Sequence, residues 1–250
     1  MTVPSRSTDT VDPTALRVLI TGYGPFAGFP INPSWLAVKP LHNTITQTLG
    51  DTPRDIHITS LEIATSYETV LTATPSFHAR PPVVSQPKDT AFAVLPPPSD
   101  GYDLVIHVGV AGRSGHIRME QLGRKYGYDK EDAFGQYAPV VVTEGDKPVR
   151  GFGTDYKEFP EELYTHVNCT KLVDHLQGTG FKYVVPSLNA GLYLCEFINY
   201  CSLAESKRTA ARGEKYSKVL FIHVPPVGAP YTTEEVTEIL RSTISWICSQ

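Results

Sequence analysis

The apolar residues of this chain switch repeatedly between the spacing typical of a strand and the spacing typical of a helix. The segment 17–20 is a short continuous apolar run, whereas 32–39 has the pattern of a helix with a proline at its first position. The run 103–109 is again a buried strand, and 232–247 begins with a Thr-x-x-Glu capping box and continues as an amphipathic helix. Strands that alternate with helices bury both faces of one sheet, so the pattern predicts an α/β fold with helices on both sides.

The remaining elements follow the same alternation. Further strands are predicted over 55–63, 116–122, 140–142, 183–185 and 218–224, and further helices over 66–74, 160–178 and about 192–205. Pro40 is expected to end the first helix, because proline lacks the N–H that a continuing helix needs.

The length and composition of the chain predict one domain. With 250 residues, 41% of them hydrophobic, it can bury one large core, and no long flexible linker divides it. A single α/β domain is therefore predicted over 15–250, preceded by a disordered tail over 1–14 that is rich in Ser, Thr, Asp and Pro. Seven prolines between Pro75 and Pro98 predict an exposed loop insertion at about 75–99.

Charge and cysteine usage exclude several classes of partner and compartment. The net charge of -4, with both signs interspersed, predicts binding neither to nucleic acid nor to a membrane surface, and favours small uncharged partners. Cys169, Cys195, Cys201 and Cys248 lack the spacing of a disulfide framework, which indicates a reducing compartment. Because there is also no apolar leader and no run of membrane-spanning length, the expected location is the cytoplasm.

Cys195 and His223 carry the clearest chemical signal. Cys195 follows a loop of small residues, 189–191, and is predicted in the first turn of a helix, where backbone N–H groups favour a thiolate. His223 ends the apolar run 219–223, at the position where open α/β sheets collect functional side chains. A cysteine nucleophile activated by a histidine is the resulting hypothesis.

Other motifs point elsewhere and are weaker. Gly22 and Gly24 begin a G-x-G-x-x-A pattern after a strand, but the next helix starts only near Pro33, too late to place its N-terminus against a phosphate. A nucleotide-dependent enzyme therefore stays an alternative class, and no cofactor is expected. No H-E-x-x-H and no paired C-x-x-C pattern occurs, so no metal site is predicted. His107, within an apolar strand, is interpreted as a core histidine with a hydrogen-bond partner.

Four separated segments together carry a family resemblance. In chain order they are the glycine-aromatic loop 21–26 with Asn-Pro-Ser-Trp-Leu-Ala-Val at 32–38, the strand 105–109 leading to Glu120, the run Ala-Gly-Leu-Tyr-Leu-Cys at 190–195, and Phe-Ile-His-Val-Pro-Pro at 221–226. The chain resembles the pyroglutamyl peptidase I (pyrrolidone-carboxylate peptidase) family of cysteine peptidases, and in particular its eukaryotic-type members, from Val18 to about Ile247. The resemblance implies a single-domain three-layer α/β/α sandwich with a twisted mixed sheet flanked by helices, phosphorylase/hydrolase-like in architecture.

The resemblance also implies a reaction and its catalytic residues. Members of this family are cytosolic and remove an N-terminal pyroglutamyl residue from small peptides. By similarity, Cys195 attacks the pyroglutamyl carbonyl to form a thioester, and His223 holds the thiolate and then protonates the leaving amine. Glu120 would orient the imidazole and stabilise its cation. The backbone N–H of Cys195 is placed to bind the oxyanion.

Substrate-binding residues follow from the same match. Pyroglutamate is small, flat and uncharged, and a pocket for it needs apolar walls with a few polar groups. By similarity Tyr23, Phe26, Thr65, Tyr193 and Leu194 would form the walls, and Asn32 would support the first loop. Neither cofactor nor metal is implied, and the oligomeric state is not readable from the sequence.

The loop after Glu120 departs from the family pattern. Family members carry an arginine there that helps to hold the oxyanion, whereas residues 123–137 contain only Arg124, close to Glu120. Either Arg124, Lys125 or Gln136 takes this role, or the activity is weak, or the substrate differs. The alternative function is a catalytically weakened relative that binds pyroglutamyl or cyclic-amide groups without efficient turnover. Around Glu120 itself, Arg118 stands where a small hydroxyl residue is usual, and Gln121 stands where a basic one is usual.

Overall fold

The structure is a computed structural model that describes residues 11–26, 28–112, 115–144 and 147–250, without the side chains of residues 143 and 144. Most of the predicted N-terminal tail, residues 1–10, lies outside the described residues. The strands are β1 Leu16–Tyr23, β2 Thr44–Gln47, β3 Asp55–Ile63, β4 Leu104–Val110, β5 Ile117–Glu120, β6 Leu122–Arg124, β7 Val140–Glu144, β8 Lys147–Arg150, β9 Glu162–Tyr164, β10 Val184–Ser187 and β11 Lys218–Val224. The helices are α1 Pro33–Val38, α2 Tyr67–Phe77, α3 Cys169–Gly178, α4 Leu194–Ala211 and α5 Thr233–Cys248, with short 3-10 turns at Lys39–Leu41, Thr90–Phe92 and Thr154–Tyr156.

Seven strands form one mixed sheet in the order β10-β5-β11-β4-β1-β3-β2. The four central strands β11, β4, β1 and β3 are parallel, so their carboxyl ends lie along one edge of the sheet. Strand β2 runs antiparallel to β3, and β5 runs antiparallel to β11 while pairing in parallel with β10. Two small two-stranded sheets, β6-β9 and β7-β8, lie outside the main one.

Two cores separate the sheet from its helices. Successive side chains of a strand point to opposite faces of the sheet, and on one face Ile106, Leu220 and Ile222 point toward α1, α3 and α5. On the other face Val105 and Phe221 pack against α2 and α4. The three-layer α/β/α sandwich with a mixed sheet is therefore confirmed.

Several element boundaries differ from the predictions for local reasons. The predicted helix over 160–178 is wrong in its first half, because Glu162–Tyr164 pairs with β6 as a strand. The helix begins only after Asn168, whose side chain accepts a hydrogen bond from the Lys171 N–H at 3.0 Å. Pro40 does not end the first helix outright, since it sits at the start of the 3-10 turn that extends it.

Three further boundaries differ. The strand predicted over 116–122 is two strands, β5 and β6, interrupted at Gln121. Helix α4 starts at Leu194 and runs to Ala211, beyond the predicted end near 205. Helix α2 continues through Pro75 to Phe77, so the proline-rich segment starts inside a helix.

The proline-rich segment is anchored by side chains along its length. Gln86 and Val94 exchange two hydrogen bonds of 2.9 Å, and Phe92 packs edge-on against Trp35 at 5.9 Å between ring centroids. The Arg80 guanidinium donates to the carbonyl of Lys215. The segment is therefore fastened at several points to the domain rather than exposed throughout.

Candidate active site

Strand pairing brings Glu120 and His223 onto one face of the sheet. Antiparallel pairing of β5 with β11 sets Phe221 opposite Glu120 and His223 opposite Arg118. Met119 and Ile222, which alternate with them, are buried in the core under α3 and α5. Glu120 and His223 consequently face α4.

A short hydrogen bond joins these two side chains. Nδ1 of His223 lies 2.8 Å from Oε1 of Glu120, and the two residues are 5% and 0% exposed. Burial lowers the pKa of His223, but the charge and hydrogen bond of Cys195 and those of Glu120 outweigh it and raise the pKa to about 9. Oε2 of Glu120 has no hydrogen-bond partner among the described residues. The carboxylate therefore acts chiefly on the histidine.

Cys195 approaches Glu120 and His223 from helix α4, which packs on the face of the sheet that carries these two side chains. It is the second residue of α4, after Tyr193 in an extended conformation, as the sequence predicts for a first-turn cysteine. Its Sγ lies directly over Gly109, where an added Cβ would come within 2.7 Å of the sulfur. Since Gly109 pairs with His223 across β4 and β11, the thiol lies beside the imidazole and is hydrogen-bonded to it.

The loop that leads into α4 is held in an unusual conformation. Gly191 and Leu192 both have positive φ, 95° and 44°. The Leu192 N–H donates to Oε2 of Glu196 at 3.2 Å, and Oε1 of Glu196 pairs with Nη1 of Arg124 at 2.9 Å. Glu196 is fully buried, so this pair fixes the loop immediately before Cys195. Sequence reasoning missed Glu196; its only signal was an acidic residue in the first turn of the predicted helix.

Two of the three groups proposed to replace the family arginine, Arg124 and Lys125, already have side-chain partners. Besides Glu196, Arg124 donates to the carbonyl of Leu188 at 3.2 Å. The Nζ of Lys125 is buried and donates to the carbonyl of Phe159 at 3.0 Å. Gln136 is exposed, and its backbone N–H is bonded to Asp132. Arg124 and Lys125 are thus committed to the framework of the site.

Three aromatic residues gather next to the cysteine. The buried Tyr23, at the end of β1, donates its hydroxyl to the carbonyl of Leu194 at 2.8 Å. The rings of Phe26 and Tyr193 lie 5.6 Å apart, and the Tyr193 hydroxyl donates to the carbonyl of Glu131 at 2.9 Å. The Leu194 side chain is packed in the core between the sheet and α2 and α4.

Asn32 and Thr65 meet at the carbonyl of Gly24. The Asn32 amide donates to it at 3.1 Å and the Thr65 hydroxyl at 3.5 Å. The Oδ1 of Asn32 also caps α1 by accepting from the Ser34 N–H. Both residues are buried, so they brace the loop that carries Phe26.

The remaining singled-out side chains have framework roles. His107 is buried with Nδ1 2.8 Å from Oγ1 of Thr21, in agreement with its interpretation as a core histidine. All four cysteines are free thiols. Within the described ranges no cluster of three or more His, Cys, Asp and Glu side chains could hold a metal ion, and no helix is long and apolar enough to cross a membrane.

A three-layer α/β sandwich whose sheet edge brings together a thiol, an imidazole and a carboxylate has the fold and the side chains of a cysteine-type hydrolase. The chain belongs to the pyroglutamyl peptidase family, whose sequence profile matches residues 16–238.

Similar proteins agree along nearly the whole chain. It is 28% identical to human pyroglutamyl-peptidase 1 over 230 residues, covering 91% of this chain and 87% of that protein. It is 30% identical to the pyrrolidone-carboxylate peptidase of Erwinia tasmaniensis over 209 residues, covering 84% and 78%. The crystal structure of pyroglutamyl peptidase I from Bacillus amyloliquefaciens matches with a TM-score of 0.65 at 20% identity, covering 94% and 98% of the two chains. This structural match establishes the fold.

Proposed function

We propose that the chain is a cysteine omega-peptidase that hydrolyses the bond after an N-terminal pyroglutamyl residue through a thioester acyl-enzyme. Family membership over residues 16–238 supports the reaction class. The observation that carries the proposal is the 2.8 Å bond between Glu120 and His223 beside a cysteine at the head of a helix. A partly exposed thiol with a charged histidine partner is an activated nucleophile.

Each catalytic side chain has a defined task in this scheme. The Cys195 thiolate attacks the pyroglutamyl carbonyl, and the C–N bond breaks as His223 gives its proton to the leaving amine. A water molecule then hydrolyses the thioester, with His223 as the base that takes its proton. Glu120 holds Nδ1 of the imidazole and stabilises the cation, because its oxygen lies 2.8 Å away. The backbone N–H of Cys195, in the first turn of α4, binds the oxyanion.

The substrate ring is proposed to bind beside Phe26 and Tyr193. Their rings are partly exposed and 5.6 Å apart, which leaves an apolar surface for a flat lactam. Tyr23 adds its ring, while its hydroxyl stays on the carbonyl of Leu194. Asn32 and Thr65 support the loop through Gly24, and Leu194 contributes through its carbonyl and core packing. Placement in an apolar site disfavours a charged N-terminal amine, since its desolvation is costly.

Domain extent and location complete the proposal. The catalytic α/β domain is proposed to occupy 15–250, with the proline-rich insertion at about 75–99. A cytoplasmic location is supported by four cysteines that are all free thiols. The proposed substrates are small peptides with an N-terminal pyroglutamate. The proposed activity involves no nucleic acid, no membrane and no cofactor.

The two alternative functions are less well supported than a peptidase. The comparisons favour a peptidase over a binding relative with weak turnover. The G-x-G pattern has a packing role, because a Cβ on Gly22 would come within 2.8 Å of the Trp35 Cα as α1 crosses β1. That close approach explains the glycine without a nucleotide.

Release of a fluorescent amine from pyroglutamyl-aminomethylcoumarin tests the proposal. Wild type is expected to release it, and Cys195→Ala is expected to lose essentially all turnover while keeping its melting temperature. Cys248→Ala is the matched control, since this thiol lies at the end of α5 on the far side of the sheet. A folded wild type with no release, or release that survives in Cys195→Ala, contradicts the proposal.

A further inference from the structure

Arg118 lies directly beside the proposed general acid. Pairing of β5 with β11 sets Arg118 opposite His223 at the end of that ladder. Residues directly opposite in an antiparallel pair have Cβ atoms about 4.5–5.5 Å apart and share a face of the sheet. Ile117 and Met119 point into the core under α3, so Arg118 shares the catalytic face with Glu120 and His223.

The guanidinium of Arg118 is free to bind a ligand. The side chain is partly buried, yet it makes no hydrogen bond or ion pair within the described part of the chain, including with Glu120. Arg124, by contrast, pairs with Glu196, and Arg150 donates to the carbonyl of Ala138 and stacks on Tyr137. A guanidinium carries five N–H donors, and no nitrogen of Arg118 is among the buried atoms that lack a partner, so these donors are accessible from the site. An anionic ligand would accept hydrogen bonds from them.

The strand order gives the direction in which a substrate crosses the site. Tyr23 ends β1, Gly109 lies under Cys195 on β4, His223 is on β11 and Arg118 is on β5, and these four strands are neighbours in that order. Adjacent strands are about 4.8 Å apart. With the lactam ring on the β1 side of Cys195 and the scissile carbonyl at the thiol, the leaving amine points toward His223 on β11. The next group of the leaving residue then points toward Arg118 on β5.

We propose that Arg118 binds a carboxylate on the residue that follows pyroglutamate, so that the peptidase prefers pyroglutamyl dipeptides. The α-carboxylate of a dipeptide lies two bonds from the scissile nitrogen, a span shorter than the strand spacing between His223 and Arg118, and the long Arg118 side chain bridges the remaining distance. An acidic side chain on a longer peptide offers the same chemistry from further away. The guanidinium fork binds either carboxylate through two parallel N–H···O bonds. The assignment rests on the proposed function, because only a peptidase has this leaving group.

The test compares substrates with and without a carboxylate on the leaving residue. Pyroglutamyl-alanine, its amide, and pyroglutamyl-glutamate amide are assayed for kcat/KM with wild type, Arg118→Gln and Arg118→Lys. The wild-type ratio of acid to amide is expected to exceed one by about 10–100-fold, the range of charge-assisted hydrogen bonds. Arg118→Gln is expected to bring the ratio to about one, and Arg118→Lys is expected to retain part of it. Because the ratio is taken on one preparation, incomplete folding of a variant cancels.

Controls and outcomes separate this assignment from the function itself. Arg241→Gln, on α5 across the sheet, is expected to leave the ratio as in wild type. A preference for pyroglutamyl-glutamate amide alone shows that Arg118 binds a side-chain carboxylate and overturns the preference for dipeptides. A wild-type ratio near one for both carboxylates, or equal losses on acid and amide in Arg118→Gln, overturns the assignment. Failure to cleave any of the three substrates contradicts the proposed function instead.

Discussion

Gly109 forms the floor under the Cys195 thiol. A Cβ atom at residue 109 would lie 2.7 Å from Sγ of Cys195 and 2.8 Å from the ring of Phe221. Phe221 lies on β11, which runs between β4 and β5 in the sheet. It is fully buried, and its ring lies 4.9 Å from that of His223. Because residue 109 has no side chain, helix α4 can bring Cys195 close to His223 on strand β11.

Gly109→Ala is expected to lower kcat/KM by at least about 10²-fold, because the methyl group displaces the sulfur and the Phe221 ring from their positions. The expected loss of stability is about 1–3 kcal/mol, as for overpacking of a close-packed core. Gly178→Ala is the matched control, since a Cβ there meets nothing within 4 Å. Equal activity of Gly109→Ala and Gly178→Ala in the coumarin assay would show that the thiol does not depend on this contact.

Glu120→Gln removes the charge of the carboxylate while keeping an acceptor for Nδ1 of His223. Burial lowers the pKa of His223, whereas Cys195 and Glu120 raise it to about 9, so loss of the Glu120 charge is expected to lower it. The alkaline limb of kcat/KM is then expected to move to lower pH, with a loss of about 10²–10⁴-fold in rate. Glu238→Gln, whose side chain is 57% exposed on α5, serves as control. An unchanged pH profile in Glu120→Gln contradicts the role given to this carboxylate.

The same raised pKa has a consequence for stability. The folded-state pKa of His223 lies above its ordinary value of 6.5, so the folded state binds the proton more tightly than the unfolded state. The contribution of His223 to the free energy of unfolding is therefore complete below about pH 6.5 and is lost as the pH rises through about 9. Urea titrations of wild type and Glu120→Gln across this window measure it. The difference between the two proteins is expected to shrink as the pH rises, and a constant difference contradicts the linkage.

The alternation of strands and helices was enough to predict the sandwich and the position of Cys195 in the first turn of a helix. Cys195 in a first helical turn and the Thr232 capping box both depend on residues within one turn of each other, and both are found. The prediction of a helix over 160–168 is wrong. Leu163 and Val167 are spaced as on a helix, but Leu163 belongs to a strand paired with β6. That pairing is set by residues about forty positions away, which local periodicity does not register.

Most of the hydrogen bonds that hold the site together could not be predicted from the sequence. Arg124 and Glu196 are 72 positions apart, and nothing in either local pattern pairs them. Its residue type and its place after Glu120 make Arg124 a candidate oxyanion donor in the sequence, whereas its guanidinium is bonded to Glu196 and to the carbonyl of Leu188. Side-chain type indicates the available chemistry, but strand register and helix position decide which groups meet.

Arg124→Ala leaves the Glu196 carboxylate buried without its cation, one residue from the nucleophile. The expected destabilisation is about 3 kcal/mol, at the low end for a broken buried pair because the Arg124 side chain is 31% exposed. The double variant Arg124→Gln with Glu196→Gln removes both charges, while the amide oxygen introduced at position 196 still accepts from the Leu192 N–H. It is therefore expected to recover most of the stability and activity. Denaturant unfolding and the coumarin assay measure both. A double variant as impaired as Arg124→Ala would show that the charges themselves are required.

His57 is expected to lower the free energy of unfolding at acidic pH. Replacing it is expected to remove this effect with little loss of stability at neutral pH. It is fully buried, and neither ring nitrogen has a hydrogen-bond partner among the described residues. Burial, with the charges of Arg17 and His42, lowers its pKa from 6.5 to about 4. The unfolded state therefore binds more protons between these values, and this part of the stability is lost as the pH falls through that window, by up to about 3 kcal/mol.

His57→Leu is expected to flatten the decline in unfolding free energy below about pH 6.5 and to cost little at neutral pH, because no hydrogen bond is lost. His78→Leu is the matched comparison: burial lowers the pKa of His78 to about 3, but its Nε2 lies 2.7 Å from Oγ of Ser202. His78→Leu should therefore flatten the acid decline as well, while losing about 1–3 kcal/mol at neutral pH through the unpaired Ser202 hydroxyl. Urea titrations at neutral and acidic pH distinguish the two variants. If His57→Leu declines with pH as steeply as wild type, or is as unstable at neutral pH as His78→Leu, the buried and unpaired state of His57 is refuted.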